Sequence, residues 1–153
     1  MKIKIEKPEE LKEMRALAFL RGDTVSLPSK KYLKEKTGVE TGLEELQSNL
    51  FLHELGHTKF KTGFKDSELQ ADLYGYALKE DSPYFLEEIL GDLSELYSEE
   101  GLKVSFYYLS RAVRRVNEVL RSEGRRPIKS EKLWSSLVKS FNEGRGKKRL
   151  SRR

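Results

Sequence analysis

One face of a predicted helix, within residues 42–58, constrains the fold most. Its side chains recur every three or four residues: Leu43, Leu46, Leu50, His53 and His57. This spacing is that of an amphipathic α-helix with one face packed against other parts of the chain. The chain must therefore bury a helix whose packed face changes from leucine to imidazole over its last turns.

Short strand patterns and longer helical ones alternate along the rest of the chain. "KIKIE" alternates strictly, as a strand does, and "PEELKEMRALAFL" then reads as one helix with Pro8 at a favoured first position. Thr24–Leu27 is rich in β-formers and is followed by Pro28. Further helices are predicted in "SKKYLKEKTG", "DSELQADLYGYALKE", "PYFLEEILGDLSELYSEE", "LKVSFYYLSRAVRRVNEVLRSEG" and "SEKLWSSLVKSFNEG".

These patterns predict an α+β fold that is predominantly helical, with a small N-terminal sheet over a helix pair and a helical annex after it. A chain of 153 residues has the size of one compact domain or of a small domain with an appendage. We divide it into a core at residues 1–81, a helical annex at 82–143 packed on the core, and a basic flexible tail at 144–153.

Composition limits the cellular compartments in which the protein is expected. No apolar run approaches the eighteen or so residues of a membrane span, and "MKIKIEKPEE" does not resemble a signal peptide. The absence of cysteine fits a reducing compartment. We therefore predict a cytoplasmic protein without a membrane partner. The abundance of Lys, Arg and Glu with few amides also resembles the bias of heat-adapted proteins.

Both histidines lie within "NLFLHELGHTKF", residues 49–60. Positions four apart on a helix differ by about 40° around the axis and about 6 Å along it, so both imidazoles can bind one ion. Glu54 lies about 100° round from His53, which places its carboxylate beside a bound metal. There it can hold a water molecule and accept its proton. The alternative is a pair of ordinary helix histidines.

A third protein ligand has to be a carboxylate, because the chain has no cysteine and no third histidine. "ELQAD" places Glu68 and Asp72 on one face of the next helix, and the ten residues 58–67 are enough to reverse the chain. We predict that Glu68 binds the metal and that Asp72 accepts the remaining ring N–H of a ligating histidine, most simply His53. A solvated acidic face is the alternative for this pair.

Two motifs, HELGH at residues 53–57 and ExxAD at residues 68–72, together resemble those of the gluzincin metallopeptidases. The resemblance covers roughly residues 24–80. In size and in the short spacing between the motifs, the chain is most similar to the minigluzincins and to the ImmA/IrrE-type peptidases that cleave repressors. The resemblance implies an edge strand at Thr24–Leu27, along which an extended peptide or protein substrate would lie.

The resemblance also implies residue roles. Zn²⁺ would be the cofactor, bound by His53, His57 and Glu68. Glu54 would be the general base, and Asp72 would support the ligands from outside the coordination sphere. The activity implied is hydrolysis of a peptide bond by a metal-activated water, whose proton Glu54 accepts and passes to the leaving amine. Larger gluzincins stabilise the oxyanion with a distant His or Tyr, and Tyr76 is a candidate by helical phase alone.

Two other functions remain open. A structural zinc site is one, although such sites normally have four ligands and are rich in cysteine. The second is a nucleic-acid-binding or adaptor protein with a non-catalytic metal site. Residues 1–100 have 14 basic and 21 acidic side chains, a net charge of −7, whereas residues 101–153 have 16 and 4, a net charge of +12. We do not favour nucleic acid, because charge runs are usually solvated surfaces.

The basic half leads to two further expectations. The aromatic residues near its arginines are expected in the core rather than as stacking platforms: Phe106, Tyr107, Tyr108 and Trp134. The tail "GRGKKRLSRR" is hypothesised to lie along Thr24–Leu27 as a substrate mimic, held by the acidic cleft, so that the enzyme would be latent at low salt.

Overall fold

The structure, a computed structural model, describes residues 1–60, 66–97 and 102–143. Within these ranges there are three strands and seven helices. The strands are β1 (Lys2–Ile5), β2 (Phe19–Arg21) and β3 (Thr24–Leu27). The helices are α1 (Pro8–Met14), α2 (Lys30–Thr37), α3 (Leu43–His57), α4 (Ser67–Leu78), α5 (Pro83–Tyr97), α6 (Leu102–Ser122) and α7 (Ser130–Glu143). The prediction of a mainly helical α+β fold with a small N-terminal sheet is confirmed.

The strand β3 is the centre of the sheet, not an edge. The strand order is β1-β3-β2, with β1 parallel and β2 antiparallel to β3. Val25 of β3 lies between Ile3 on one side and Leu20 on the other. Because both sides of β3 are already paired, it offers no open edge to a substrate. The prediction of an edge strand at Thr24–Leu27 was therefore wrong; the basic tail, which was expected to lie there, is outside the described residues.

The first helix is shorter than predicted. Arg15 follows α1 in the left-handed conformation, with φ 54°, and its N–H bonds the carbonyl groups of Leu11 and Lys12. The apolar stretch after it, read from sequence as more helix, enters β2 instead, where Phe19 pairs with Ser26. Gly22 at φ +63° is the first residue of the two-residue turn to β3, a position where tight hairpins need positive φ. A hairpin thus replaced the last part of the predicted helix.

Contacts group the chain into two units, the first from Met1 to Leu55 and the second beginning at Gly56. The first has a core of aliphatic side chains that includes Leu11, Val25 and Leu33, all fully buried. The division falls inside α3, whereas the sequence suggested one after residue 81; the predicted core and annex stay a prediction. In the described part of the chain, no helix has the length and apolar character needed to cross a membrane.

The second unit is a helical bundle arranged around α4. This helix packs against α5 and α6, and α5 and α6 both pack against α7. Every residue of α4 from Leu69 to Tyr76 is buried, so the helix has no solvent face along that stretch. A helix buried all round is held by its neighbours rather than by its own amphipathicity. The position of any side chain on α4 is therefore set by α5 and α6.

The aromatic residues of α6 do not all reach the core. The buried stripe of α6 consists of Leu109, Val113, Val116 and Leu120. Tyr107 lies about 150° round the helix from the centre of that stripe, and it is 59% exposed. Phe106, at the margin of the stripe, is 36% exposed. The expectation that these two are core residues was wrong, because helical phase decides which aromatic side chains are buried.

One buried amide holds the segment before α7. Asn117 on α6 is 7% exposed. Its amide nitrogen donates to the Ile128 carbonyl at 2.9 Å, and its amide oxygen accepts from the Ile128 N–H at 2.7 Å. Both backbone groups of Ile128 therefore have a partner on α6. Asn117 thereby fixes where α7 begins relative to α6.

Replacing Asn117 by Ala should lower the free energy of unfolding by about 2 kcal/mol or more, because the N–H and carbonyl groups of Ile128 both lose their hydrogen-bond partner. Urea denaturation followed by circular dichroism measures this change. Glu118→Ala, at the exposed neighbouring position, is the control and should stay within about 0.5 kcal/mol of wild type. Equal stability of the two variants would contradict the role given to Asn117.

Candidate metal centre

The helix α3 sets the two imidazoles one turn apart. Leu46 and Leu50 are buried on the same face, and His53 continues it with only 3% exposure. His57, the last residue of α3, is half-buried, with 16% of its side chain exposed. The predicted stripe is thus present, and its change from leucine to histidine coincides with the end of the helix. One imidazole is enclosed, and the other lies at the rim.

Glu68, in the first turn of α4, lies next to His57. The distance from His57 Nε2 to Glu68 Oε1 is 3.3 Å. Two ligands of a tetrahedral ion are separated by about 1.6 times the bond length, and zinc bonds of about 2.0–2.1 Å give about 3.3–3.4 Å. The observed separation therefore suits two ligands of one zinc ion as well as it suits a direct ion pair.

The three residues predicted as ligands are close to one another. One ligand atom each from His53, His57 and Glu68 all lie within 4.8 Å of one another. Among the described residues, these three form the one group of three or more histidine, aspartate or glutamate side chains close enough to hold an ion. Two imidazoles and one carboxylate fit zinc, and three ligands leave a fourth position open.

A backbone contact brings the end of α3 close to α4. A Cβ atom built on Gly56 would lie 2.7 Å from the carbonyl oxygen of Ala71 and 2.8 Å from its Cα. Real Cβ atoms do not approach other atoms so closely, and the obstacle is backbone rather than a movable side chain. Glycine at position 56 therefore permits the separation at which His57 reaches Glu68.

Glu54 and Asp72 are both buried. Glu54, next to His53 in the chain, is 8% exposed, and Asp72, one turn after Glu68 on α4, is fully buried. A buried carboxylate at each position fits the roles predicted for them. The hydrogen bond between Asp72 and His53 and the orientation of Glu54 towards the ion stay predictions.

Tyr76 does not fit the suggested role as oxyanion stabiliser. It is 2% exposed, so its side chain is enclosed among the helices of the second unit. Burial raises the pKa of Tyr76, and the negative charges of Asp81 and Glu80 add to this effect. The hydroxyl group is therefore enclosed, in surroundings that sequence spacing on α4 could not indicate.

A network of three side chains holds the segment that follows α3. Lys59 forms an ion pair with Glu123 at 2.7 Å, and the Tyr74 hydroxyl donates to the same carboxylate at 2.6 Å. Burial alone would raise the pKa of Glu123, but the hydrogen bonds from Lys59 and Tyr74 and the charges of Lys59 and Arg125 lower it. Burial and the Glu123 carboxylate together raise the pKa of Tyr74 to about 12. Residues so distant in sequence gave no signal of this network.

Replacing Gly56 by Ala should destabilise the protein by about 2 kcal/mol, because the new methyl group meets the backbone of Ala71. The same change should weaken metal binding, since His57 and Glu68 must move apart. Thermal unfolding with and without added zinc measures both effects. Ser48→Ala on the exposed side of α3 is the control. A Gly56→Ala protein that matches this control in stability and zinc response would contradict the tight approach.

Comparison with known proteins adds no relative. No family model matches the chain, and no curated protein and no solved structure gives a significant match. The features that bear on function are therefore the three candidate ligands and the buried carboxylates of Glu54 and Asp72.

Proposed function

We propose that this protein is a zinc-dependent metallopeptidase of the gluzincin type. The observation that carries the proposal is the proximity of His53, His57 and Glu68. These residues come from two separate helices, and each belongs to one of the two motifs, HELGH or ExxAD. A coincidental group of histidines and acids would have no reason to match a motif on both helices.

Zinc is the ion that fits this donor set. Two imidazole nitrogens and one carboxylate oxygen form the ligand set of hydrolytic zinc sites, whereas Ca²⁺ and Mg²⁺ prefer oxygen ligands alone. A structural zinc site would normally be closed by a fourth protein ligand. Among the described residues, no fourth histidine or acid joins the group. This difference favours a catalytic site over a structural one.

The bound zinc would supply Lewis acidity and lower the pKa of a water molecule towards about 7. His53 and His57, fixed on α3, would hold two positions of the coordination sphere, and Glu68 would hold the third. Glu54 would accept the proton of the attacking water and deliver it to the leaving amine of the peptide. Glu54 is 8% exposed, which keeps this exchange largely apart from bulk water.

Zinc content tests the ligand set directly. The wild-type protein, purified without chelators, should hold about one zinc ion per chain, whereas Glu68→Ala should lose at least about 100-fold in affinity, because one of three ligands is gone. Elemental analysis and competition with a chromogenic chelator measure both. Glu35→Ala, an exposed acid on α2, is the matched control. Unchanged zinc content in Glu68→Ala would remove Glu68 from the site.

The role of Glu54 has its own test. Glu54→Gln should keep zinc and the thermal stability of wild type but lose at least about 100-fold in the rate of peptide hydrolysis, because an amide cannot accept the water's proton. Hydrolysis of unfolded casein or of a quenched fluorescent peptide library provides the rate. Near wild-type activity in Glu54→Gln would refute the peptidase mechanism while leaving the metal site intact.

A further inference from the structure

The kind of basic residue changes along the chain. Residues 1–100 contain 12 lysines and 2 arginines, whereas residues 106–126 contain 6 arginines and no lysine. Solubility alone needs positive charge and does not distinguish the two side chains. Arginine differs from lysine because its planar guanidinium group forms bidentate hydrogen bonds to phosphate and stacks on aromatic rings. A local change from lysine to arginine therefore indicates a surface that binds a ligand with phosphate groups or flat rings.

The arginines of α6 lie on its exposed face. Arg111, Arg114 and Arg121 are exposed, and across the described residues none of the three has a carboxylate within 4.0 Å. Arg115 on the same face lies 3.9 Å from Asp66. Glu118 is the acidic residue of this face. From Arg111 to Arg121 the face extends about 15 Å along the helix, which matches a short stretch of a nucleic-acid backbone.

Aromatic rings lie beside these charges. The guanidinium carbon of Arg111 is 5.8 Å from the ring centre of Tyr107 and 5.9 Å from that of Tyr108. The two tyrosine rings meet edge to face, with centres 5.4 Å apart. Tyr107 is 59% exposed, so most of its aromatic ring is accessible to a ligand. Arginine held against a tyrosine ring forms a ready surface for a flat, negatively charged partner.

We propose that this face of α6, formed by Tyr107, Arg111, Arg114 and Arg121, binds single-stranded nucleic acid. The three arginines would contact successive phosphates, and the Tyr107 ring would stack on a base. This binding site is separate from the proposed peptidase chemistry and does not depend on it.

Single strands suit the surface better than other polyanions do. In a duplex the faces of the bases are covered by their neighbours, so an exposed tyrosine ring would have nothing to stack on. A helix that binds a membrane surface needs a broad apolar face. Among the described side chains of α6, residues 106–122, the exposed ones are arginine, Glu118, Ser122, Tyr107 and Phe106, and none of them is aliphatic. An acidic protein would satisfy the charge but would not require the ring.

Fluorescence anisotropy of a labelled oligothymidine of about twelve nucleotides, titrated with the full-length protein at several salt concentrations, tests the proposal. Replacing Arg111, Arg114 and Arg121 together by Gln should weaken binding at least about ten-fold and reduce the slope of log affinity against log salt by about 2, because three phosphate contacts are lost. Tyr107→Ala should weaken binding about ten-fold, and Tyr107→Phe should keep it.

Two matched variants separate this face from general charge. Replacing Lys12, Lys31 and Lys36 by Gln removes the same charge from the first unit, and replacing the three basic residues at 147–149 removes it from the tail. Each should change affinity by no more than about two-fold. The proposal is overturned if either control weakens binding as much as the arginine variant, if a duplex binds more tightly, or if wild type does not bind. Circular dichroism melts verify that each variant is folded.

Discussion

The close approach of two backbones, at Gly56 on α3 and Ala71 on α4, is the constraint on which the candidate metal centre depends. At that contact there is no room for a side chain on α3. The imidazole of His57 and the carboxylate of Glu68 have fixed lengths. The separation of α3 and α4 therefore decides whether these groups lie 3.3 Å apart or too far apart to share an ion. The smallest residue in the HELGH motif is thus as necessary to the geometry as the two imidazoles.

The helices after residue 81 contribute to this region through charge as well as packing. Glu123, just after α6, accepts hydrogen bonds from Tyr74 on α4 and from Lys59, two residues after His57. An arrangement with two donors on one carboxylate restrains the chain where it leaves α3. The helices beyond residue 81 are therefore connected to the candidate site by specific interactions, although the motifs that identified the site end before them.

The parts of the fold that could be predicted are those with local causes. Helix periodicity identified α3 and α4 closely, and the motif spacing identified three residues that the structure places together. Predictions failed where pairing partners decide the outcome. Phe19–Arg21 is a strand because β3 is available to it, and Thr24–Leu27 is central because β1 returns to its other side. Neither fact is contained in the segment's own residues, and the same holds for the Glu123 network.

The complete burial of α4 has a consequence for how the protein can vary. A helix without a solvent face along Leu69–Tyr76 has few positions that tolerate substitution, because each side chain there contacts a neighbouring helix. The first turn, which carries Glu68, lies at the exposed end of this rigid rod. Changes in α5 or α6 that shift α4 along its axis would move Glu68 by the same amount. Substitutions on the outer surface of α5 and α6 would thus leave the distance between His57 and Glu68 unchanged, whereas substitutions on the side that faces α4 would alter it.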